Sequence, residues 1–369
     1  MATARRPNIL RLCLVIVLVL CIGIGVWQGV LFIQSQGQPA ASVSGGTMVA
    51  LPFSSDTPYE PFGEGFVYLS DQGLHCIDPA GQELWQQTIA DLAGLSVSQS
   101  AIVCYRGNTA MLLGADGALL SQVDCTDPIA FARIGRGRIA ACTQPDGAAR
   151  LVIADYAGNI LDTLDYGAGE LMDCGFDGQD NLWTLTMAAS GSRPVSRLTT
   201  YRSDEAELAI VGDVIVEDQV VYRVDCQKNA TTLVGTQDVL RYGGDGKKQG
   251  SWLVYGWVLE DTDNYDGSAL LLAPQREAGA SLSVLRLLRP DQRDTTYNLA
   301  SKYTQAFLAP SDLVAVSTDS VYLIPRGGGD KREVALPGTI DRALRLTHQR
   351  YLICELDGRV LLYALPLSK

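Results

Sequence analysis

Histidine and positive charge are scarce in this sequence. The chain of 369 residues has two histidines, His75 and His348, and 29 lysines and arginines against 41 aspartates and glutamates. Two histidines are too few for a histidine-rich zinc site and leave little choice for a Ser-His-Asp arrangement, and neither has an acidic or serine neighbour at a motif spacing. The net charge of −12 argues against a nucleic-acid partner, whose phosphates require a basic surface.

Charge is also missing from a long stretch near the N-terminus. Residues Leu12 to Ile33 are apolar apart from one glutamine, and at ~1.5 Å per residue they form a helix long enough for the ~30 Å hydrocarbon core of a bilayer. Arg5, Arg6 and Arg11 precede this stretch, and the next basic residue is Arg106. The positive-inside rule therefore predicts a cytoplasmic N-terminus and an extracytoplasmic remainder.

This pattern predicts a single-pass protein of the plasma membrane. The predicted parts are a cytoplasmic tail over 1–11, a signal-anchor helix over 12–33, a flexible linker over 34–46 and an extracytoplasmic domain over 47–369. A cleaved signal peptide is the main alternative, but its apolar region would be shorter. A lipoprotein signal would need a small residue before Cys21, where Leu20 stands.

The rest of the chain repeats one plan of short apolar strands separated by turns rich in Asp and Gly. The repeats start about 36 to 50 residues apart, close to the spacing of propeller blades. Another short strand precedes several units, which gives the four strands of a blade. The units start at Gly65, Ala101, Arg138, Asn181, Thr231, Ser268, Asp312 and Arg350.

Eight units predict an all-β fold, a β-propeller of eight blades. Seven blades remain an alternative because the fifth and sixth units are irregular, and an open solenoid would need capping elements that the sequence does not show. The last unit ends one strand early, whereas the apolar segment 47–53 has no unit of its own. We expect this segment to pair with the C-terminal blade and close the ring.

Two repeats resemble those of quinoprotein (PQQ-type) β-propellers, in which an Asp-x-x-Gly turn leads to a tryptophan that packs between blades. They are Gly73–Trp85 (GLHCIDPAGQELW) and Thr231–Trp252, so the resemblance implies inter-blade packing for Trp85 and Trp252. Cys174–Leu185 resembles the turn of NHL or gluconolactonase propellers. The whole arrangement also resembles uncharacterised bacterial single-pass membrane proteins with PQQ-like repeats. Quinoprotein dehydrogenases are larger and usually hold their cofactor with a Cys-Cys pair that this chain lacks, so the resemblance implies a fold and no cofactor.

Nine cysteines occur, seven of them beyond the apolar stretch, and none forms a CxxC motif. Seven thiols cannot all pair within the chain. One interpretation treats them as small buried hydrophobic residues. The other allows one or two disulfides in an oxidising compartment, with Cys174 and Cys226 as the first pair to consider.

The most acidic stretch spans Glu260 to Gly267. Its carboxylates make Asp261, Asp263 and Asp266 weak candidates for Ca²⁺ ligands, because calcium prefers oxygen ligands. The spacing departs from that of an EF-hand, so a solvated loop between strands is the favoured interpretation. No catalytic residue is predicted.

These observations favour a binding or scaffold module for envelope proteins or polymers, anchored by residues 12–33. A propeller offers two faces and a channel but no flexible arm other than its anchor. The alternative is an extracytoplasmic enzyme, lactonase- or lyase-like and assisted by a metal. A sensor ranks last, since a tail of eleven residues holds no signalling domain.

Overall fold

The fold is described from a computed structural model that covers residues 46–202, 208–227, 230–263, 269–289 and 292–367. These residues form 32 β-strands in eight antiparallel sheets of four strands. The all-β, eight-bladed prediction is confirmed. One short 3₁₀ turn, Pro145–Gly147, is the only helical element of the described part.

The first four blades each use four consecutive strands, and the first strand of each is innermost, where it contacts the first strand of the neighbouring blade. Blades 1 and 2 contain β2 (Tyr59–Phe62), β3 (Gly65–Ser70), β4 (Gly73–Ile77), β5 (Glu83–Gln87), β6 (Gly94–Val97), β7 (Ala101–Arg106), β8 (Thr109–Gly114) and β9 (Leu119–Asp124). Blades 3 and 4 contain β10 (Ile129–Ile134), β11 (Arg138–Thr143), β12 (Ala148–Asp155), β13 (Ile160–Ala168), β14 (Leu171–Phe176), β15 (Leu182–Ser190), β16 (Arg193–Arg202) and β17 (Ala209–Glu217).

Blades 5 to 7 continue the same order. They contain β18 (Val221–Gln227), β19 (Ala230–Gly235), β20 (Asp238–Gly243), β21 (Lys248–Leu253), β22 (Trp257–Thr262), β23 (Leu270–Pro274), β24 (Val284–Leu288), β25 (Thr295–Asn298), β26 (Gln305–Leu308), β27 (Asp312–Val316), β28 (Ser320–Pro325) and β29 (Arg332–Ala335). Blade 8 contains β30 (Arg342–Thr347), β31 (Tyr351–Leu356), β32 (Arg359–Ala364) and β1 (Met48–Ser54).

The ring closes through β1. This strand holds the segment 47–53 almost entirely and pairs antiparallel with β32, from Met48 opposite Tyr363 to Ser54 opposite Arg359. The outer strand of the last blade therefore comes from the start of the domain. The pairing of β1 with β32 joins the first and last strands of the propeller.

The hydrophobic core lies between the blades. Eight buried apolar clusters occur, one at each junction of neighbouring blades, including the junction of blades 8 and 1. Middle strands such as β7 and β27 are buried along nearly their whole length because each blade is covered on both faces. This explains why those strands read as continuous apolar runs rather than as an alternating pattern.

The predicted Asp/Gly turns are local and rigid. The Asp155 carboxylate accepts hydrogen bonds from the backbone N–H groups of Ala157 and Asn159, both at 2.9 Å. Gly158 in this turn has a φ of +88°, and a Cβ there would lie 2.6 Å from the carbonyl oxygen of Gln122 in blade 2. Glycine is required here both by the backbone conformation and by the close contact between blades.

The predicted membrane segment, 12–33, lies outside the described residues, as do the tail 1–11 and most of the linker 34–46. Within the described ranges, no helix has the length and apolar character needed to cross a bilayer.

Candidate functional site

Blade 4 has the longest strands of the propeller. Strands β15, β16 and β17 contain nine, ten and nine residues, whereas most strands of the other blades contain four to six. β15 and β16 pair without interruption from Leu182 opposite Tyr201 to Ser190 opposite Arg193, across a tight turn at Gly191. The hairpin therefore extends blade 4 beyond the strand lengths typical of its neighbours.

β17 forms the outer edge of blade 4. Within the described ranges its only strand partner is β16, so its other edge carries backbone N–H and C=O groups without a strand beside them. A register shift between Thr200 and Tyr201 makes Val211 an extra residue in the ladder. Such unpaired strand edges accept additional strands when nothing blocks them.

The exposed side chains of β17 are mainly apolar. Ile210 is 62% exposed and Ile215 is 57% exposed, and Val211 is exposed beside them. We call β17 with these three side chains the blade 4 edge. An isolated exposed isoleucine would need no explanation, but three exposed apolar side chains on one edge strand form an apolar strip.

A bidentate ion pair fastens β17 to β16. The Arg197 guanidinium donates two hydrogen bonds of 2.7 Å to the Asp213 carboxylate. These bonds hold the pKa of Asp213 below its usual value. The blade 4 edge is thus a pre-formed strand rather than a segment that must order on binding.

A groove runs beside the blade 4 edge, between blades 4 and 5. Its volume is about 380 Å³. Lining residues include Val211 and Gly212 of β17, Thr200 of β16, Asn181, Tyr242 and Gly244. We call it the blade 4–5 groove. It lies where side chains of a strand added to β17 could be received.

The groove wall at Asp177 is rigid. Its carboxylate accepts hydrogen bonds from the N–H groups of Gln179 (2.8 Å) and Asn181 (2.9 Å) and from the Asn181 side-chain amide (3.0 Å). The carboxylate is therefore engaged in shaping its own turn. The blade 4–5 groove offers a fixed shape with mixed polar and apolar walls.

Trp85 and Trp252 both lie against clusters between blades. The Trp85 indole N–H donates to the carbonyl oxygen of Ala115 in blade 2 at 3.0 Å, and its ring covers Gly117. Trp252 packs against the apolar cluster shared by blades 5 and 6. Their contacts are those of structural residues.

The structure has Cys174 and Cys226 as free thiols, not as a disulfide. Cys174 is buried in the cluster between blades 3 and 4, whereas Cys226 packs against the cluster between blades 4 and 5. Burial raises the pKa of both thiols, that of Cys226 to about 12. All seven described cysteines are free, six of them buried, so the interpretation as small hydrophobic residues describes them.

Two of the predicted calcium ligands, Asp261 and Asp263, connect blade 6 to blade 7. Asp261 accepts hydrogen bonds from the N–H groups of Leu308 (2.8 Å) and Thr262 (2.9 Å), and burial raises its pKa to about 6. Asp263 is fully buried and lies 2.5 Å from a guanidinium nitrogen of Arg326. The expected solvated loop is therefore wrong for these two residues, because both carboxylates hold neighbouring blades together.

Asp266 lies outside the described residues. In the part of the chain that the structure describes, no three His, Cys, Asp or Glu side chains converge as a metal site would require. Asp261 and Asp263, which the sequence predicted as weak calcium ligands, therefore serve in packing between blades.

Sequence reasoning missed the blade 4 edge. The fourth unit, which starts at Asn181, was not predicted to end in a long apolar outer strand at the run AIVGDVIV. The length of the run, compared with the four to six residues of most other strands, was the signal that could have identified it.

Comparisons with known proteins indicate a family and a fold. Residues 47–252 match the model of DUF5711, which is described as a family of unknown function. No curated protein matches the sequence.

Solved structures of similar shape share about a tenth of their residues with the chain. A eukaryotic initiation factor has a TM-score of 0.54 at 10% identity, covering 81% of this chain and 90% of that one. Hsv2 of Kluyveromyces lactis has a TM-score of 0.50 at 11% identity, covering 76% and 98%. Apo AztD from Citrobacter koseri has 0.50 at 11%, covering 79% and 87%. These likenesses show the propeller fold alone.

Proposed function

For a chain that belongs to DUF5711, a family of unknown function, we propose a function from the surface of its own propeller. The protein is a binding or scaffold module, and its partner is an extended polypeptide segment that adds to the blade 4 edge. Side chains of that segment enter the blade 4–5 groove. The partner is an envelope protein rather than a polymer without a peptide backbone, because the edge offers backbone donors and acceptors.

The observation that carries this proposal is the long apolar outer strand β17. Natural sheets protect exposed edges with charge, proline or short strands, because an open edge pairs with other chains. Here Ile210, Val211 and Ile215 are exposed on a nine-residue edge, alongside the charged Asp213 and Glu217. Strand addition would pair the free backbone groups and cover these side chains, and the groove would select among partners.

The proposal includes a location. A helix over 12–33 would hold the propeller outside the plasma membrane, with the N-terminus in the cytoplasm. Support comes from Arg5, Arg6 and Arg11 before an uncharged apolar run of 22 residues. The linker over 34–46 would keep the propeller close to the bilayer, where envelope proteins lie. The acidic balance of the chain speaks against a nucleic-acid partner.

We also propose that the repeats are of the PQQ-like type, and we propose no cofactor for them. The positions of Trp85 and Trp252 against clusters between blades support it.

Site-specific photo-crosslinking in intact cells tests the binding proposal. A photoreactive residue at Ile215 should capture a second polypeptide through an extended segment, whereas the same residue at Ile160, on the outer strand of blade 3, should not. The captured segment, made as a peptide, should bind the purified propeller. Equal capture at both positions, or none at Ile215, would rule out the blade 4 edge as the site.

The location is tested separately. Full-length protein should resist extraction from membranes by alkaline carbonate, and deletion of 12–33 should release it. In spheroplasts, added protease should cleave the propeller domain. Protection of the propeller, or release of the full-length protein by carbonate, would contradict the proposed location.

A further inference from the structure

Three side chains of blade 1, those of Ser70, His75 and Glu83, form a hydrogen-bonded chain. The Ser70 hydroxyl lies 2.8 Å from Nε2 of His75, and Nδ1 of His75 lies 2.9 Å from a carboxylate oxygen of Glu83. A serine on Nε2 and a carboxylate on Nδ1 is the arrangement in which an imidazole removes a proton from a hydroxyl while the carboxylate orients the ring.

The fold brings these residues together across three strands. Ser70 ends β3 and lies opposite Gly73, so a two-residue turn returns the chain to His75 on β4. A register shift between Cys76 and Ile77 places Glu83 of β5 within reach of the imidazole. The spacing of five and eight residues matches no sequence motif, so the sequence offered no sign of this arrangement.

The imidazole is held in place. His75 is buried and stacks on the ring of Tyr68, with centroids 4.8 Å apart and planes 10° apart. Ser70, in contrast, is exposed. A fixed base beside an accessible hydroxyl is what a nucleophilic serine requires.

A cavity of about 440 Å³ opens beside Ser70. Its walls include Phe53 of the closing strand β1, Thr57, Tyr68 and Leu92. The Phe53 and Tyr68 rings lie 4.9 Å apart and form an aromatic wall. The cavity is large enough for a small ester whose apolar part rests on these rings.

We propose that Ser70, His75 and Glu83 form a hydrolytic site for small carboxylic esters. His75 accepts the Ser70 proton at Nε2 as Oγ bonds to the ester carbonyl carbon. It then donates that proton to the departing alkoxide, which leaves as an alcohol. Water, deprotonated by His75, attacks the acyl-serine, and the acid leaves as Oγ recovers its proton. Ser70 and His75 are the catalytic residues, and Glu83 is a positioning residue.

A backbone group supports the nucleophile. The N–H of Gln72 donates to Ser70 Oγ at 3.0 Å, which favours the negative charge that develops on this oxygen as its proton leaves. The site is in blade 1 and does not depend on the blade 4 edge, so either proposal can fail without the other.

Labelling with a fluorophosphonate tests the site on the purified protein. We expect covalent modification of Ser70, identified by mass spectrometry, and hydrolysis of p-nitrophenyl acetate that Ser70→Ala abolishes. His75→Gln should slow labelling by at least about 100-fold, the usual contribution of a general base. Glu83→Gln should slow it as well, and Glu83→Asp should recover part of the rate because it restores the carboxylate.

Ser98 provides a matched control. Its hydroxyl also accepts backbone N–H groups in a turn, those of Ser100 and Ala101, but it has no histidine beside it. Ser98→Ala should leave the labelling rate unchanged. Circular dichroism and thermal unfolding identify variants that fail to fold. Absence of label on Ser70 in folded wild-type protein, or equal labelling of folded His75→Gln, would overturn the proposal, and equal labelling of Glu83→Gln would remove Glu83 from it.

Discussion

The outer strands of blades 3 and 4 are neighbours of equal length whose exposed side chains differ in their apolar share. β13 and β17 each contain nine residues, and each pairs with one strand in the described part of the chain. β13 exposes Ile160, Thr163 and Asp165, whereas β17 exposes Ile210, Val211 and Ile215 together with Asp213 and Glu217. Apolar side chains on an edge favour the addition of another strand and polar ones oppose it, so the comparison sets a more apolar edge, β17, against a more polar one, β13.

The two blades also differ in how firmly their turns are held. Gly158, in the turn before β13, lies against the carbonyl of Gln122 in blade 2, whereas a Cβ at Gly191, in the hairpin before β16, would meet open space. Blade 3 contacts its neighbour closely at this turn, whereas a side chain at Gly191 of blade 4 would meet no neighbouring atom.

The largest effect is expected for Gly158→Ala. A Cβ at this position meets a backbone oxygen in addition to the cost of a positive φ, so unfolding free energy should fall by roughly 2–5 kcal/mol. Gly191→Ala, which has the positive φ without the contact, should cost about 1–2 kcal/mol. Chemical denaturation measures both. Equal losses would show that the contact between blades 2 and 3 contributes nothing.

Charging the blade 4 edge should come next. The double substitution Ile210→Lys and Ile215→Lys should weaken binding of the captured peptide by about 10- to 100-fold, because it removes apolar contact and adds charge to the edge. Ile160→Lys on β13 should leave the affinity unchanged. Titration calorimetry compares the variants. Unchanged affinity in the double variant would remove the blade 4 edge from the interface.

Apolar substitutions on β13, the outer strand of blade 3, should allow its edge to pair with another strand. Thr163→Val with Asp165→Val replaces the exposed polar side chains of β13 by β-branched apolar ones, so the propeller should self-associate at micromolar concentration. Sedimentation velocity measures the association. The isosteric variant Asp165→Asn is the control and should remain monomeric. A monomeric double valine variant would mean that these side chains do not protect the edge.

The smallest effect concerns the ion pair of β17. Hydrogen bonds from Arg197 lower the pKa of Asp213, so its contribution to stability is present above the unfolded pKa near 3.8 and is lost as the pH falls through the lower folded value. Because the pair is partly exposed, we expect at most about 1 kcal/mol.

Asp213→Asn should remove this acid-dependent component, which denaturation at pH 7 and below pH 4 detects. The matched variant Asp165→Asn breaks a pair with Arg150 whose carboxylate is more exposed than that of Asp213, and it should change stability less. An equal acid dependence in wild type and Asp213→Asn would contradict the assignment.

The repeats could be recognised in the sequence because each turn is shaped by residues that lie close together along the chain. Asp155 and Gly158 shape their turn through bonds within a few residues, so the spacing of such turns counts the blades. Long-range contacts are different. Asp263 was read as a loop residue, yet it is buried against Arg326, which lies 63 positions further along the chain. Spacing in sequence carries no information about such a pair.

The chain's own pattern of apolar strands and Asp/Gly turns determined an all-β fold of repeated blades, because both features act over a few residues, and the structure decided between seven and eight blades. Tertiary structure decided what each surface residue does. It left β17 as an apolar strand at the outer edge of blade 4. It placed Cys174 and Cys226 against two different apolar clusters. It also brought the side chains of Ser70, His75 and Glu83 within hydrogen-bond distance of one another. The physical reason is register, since a shift of one residue between strands changes which side chains meet, and that shift is set by packing between blades.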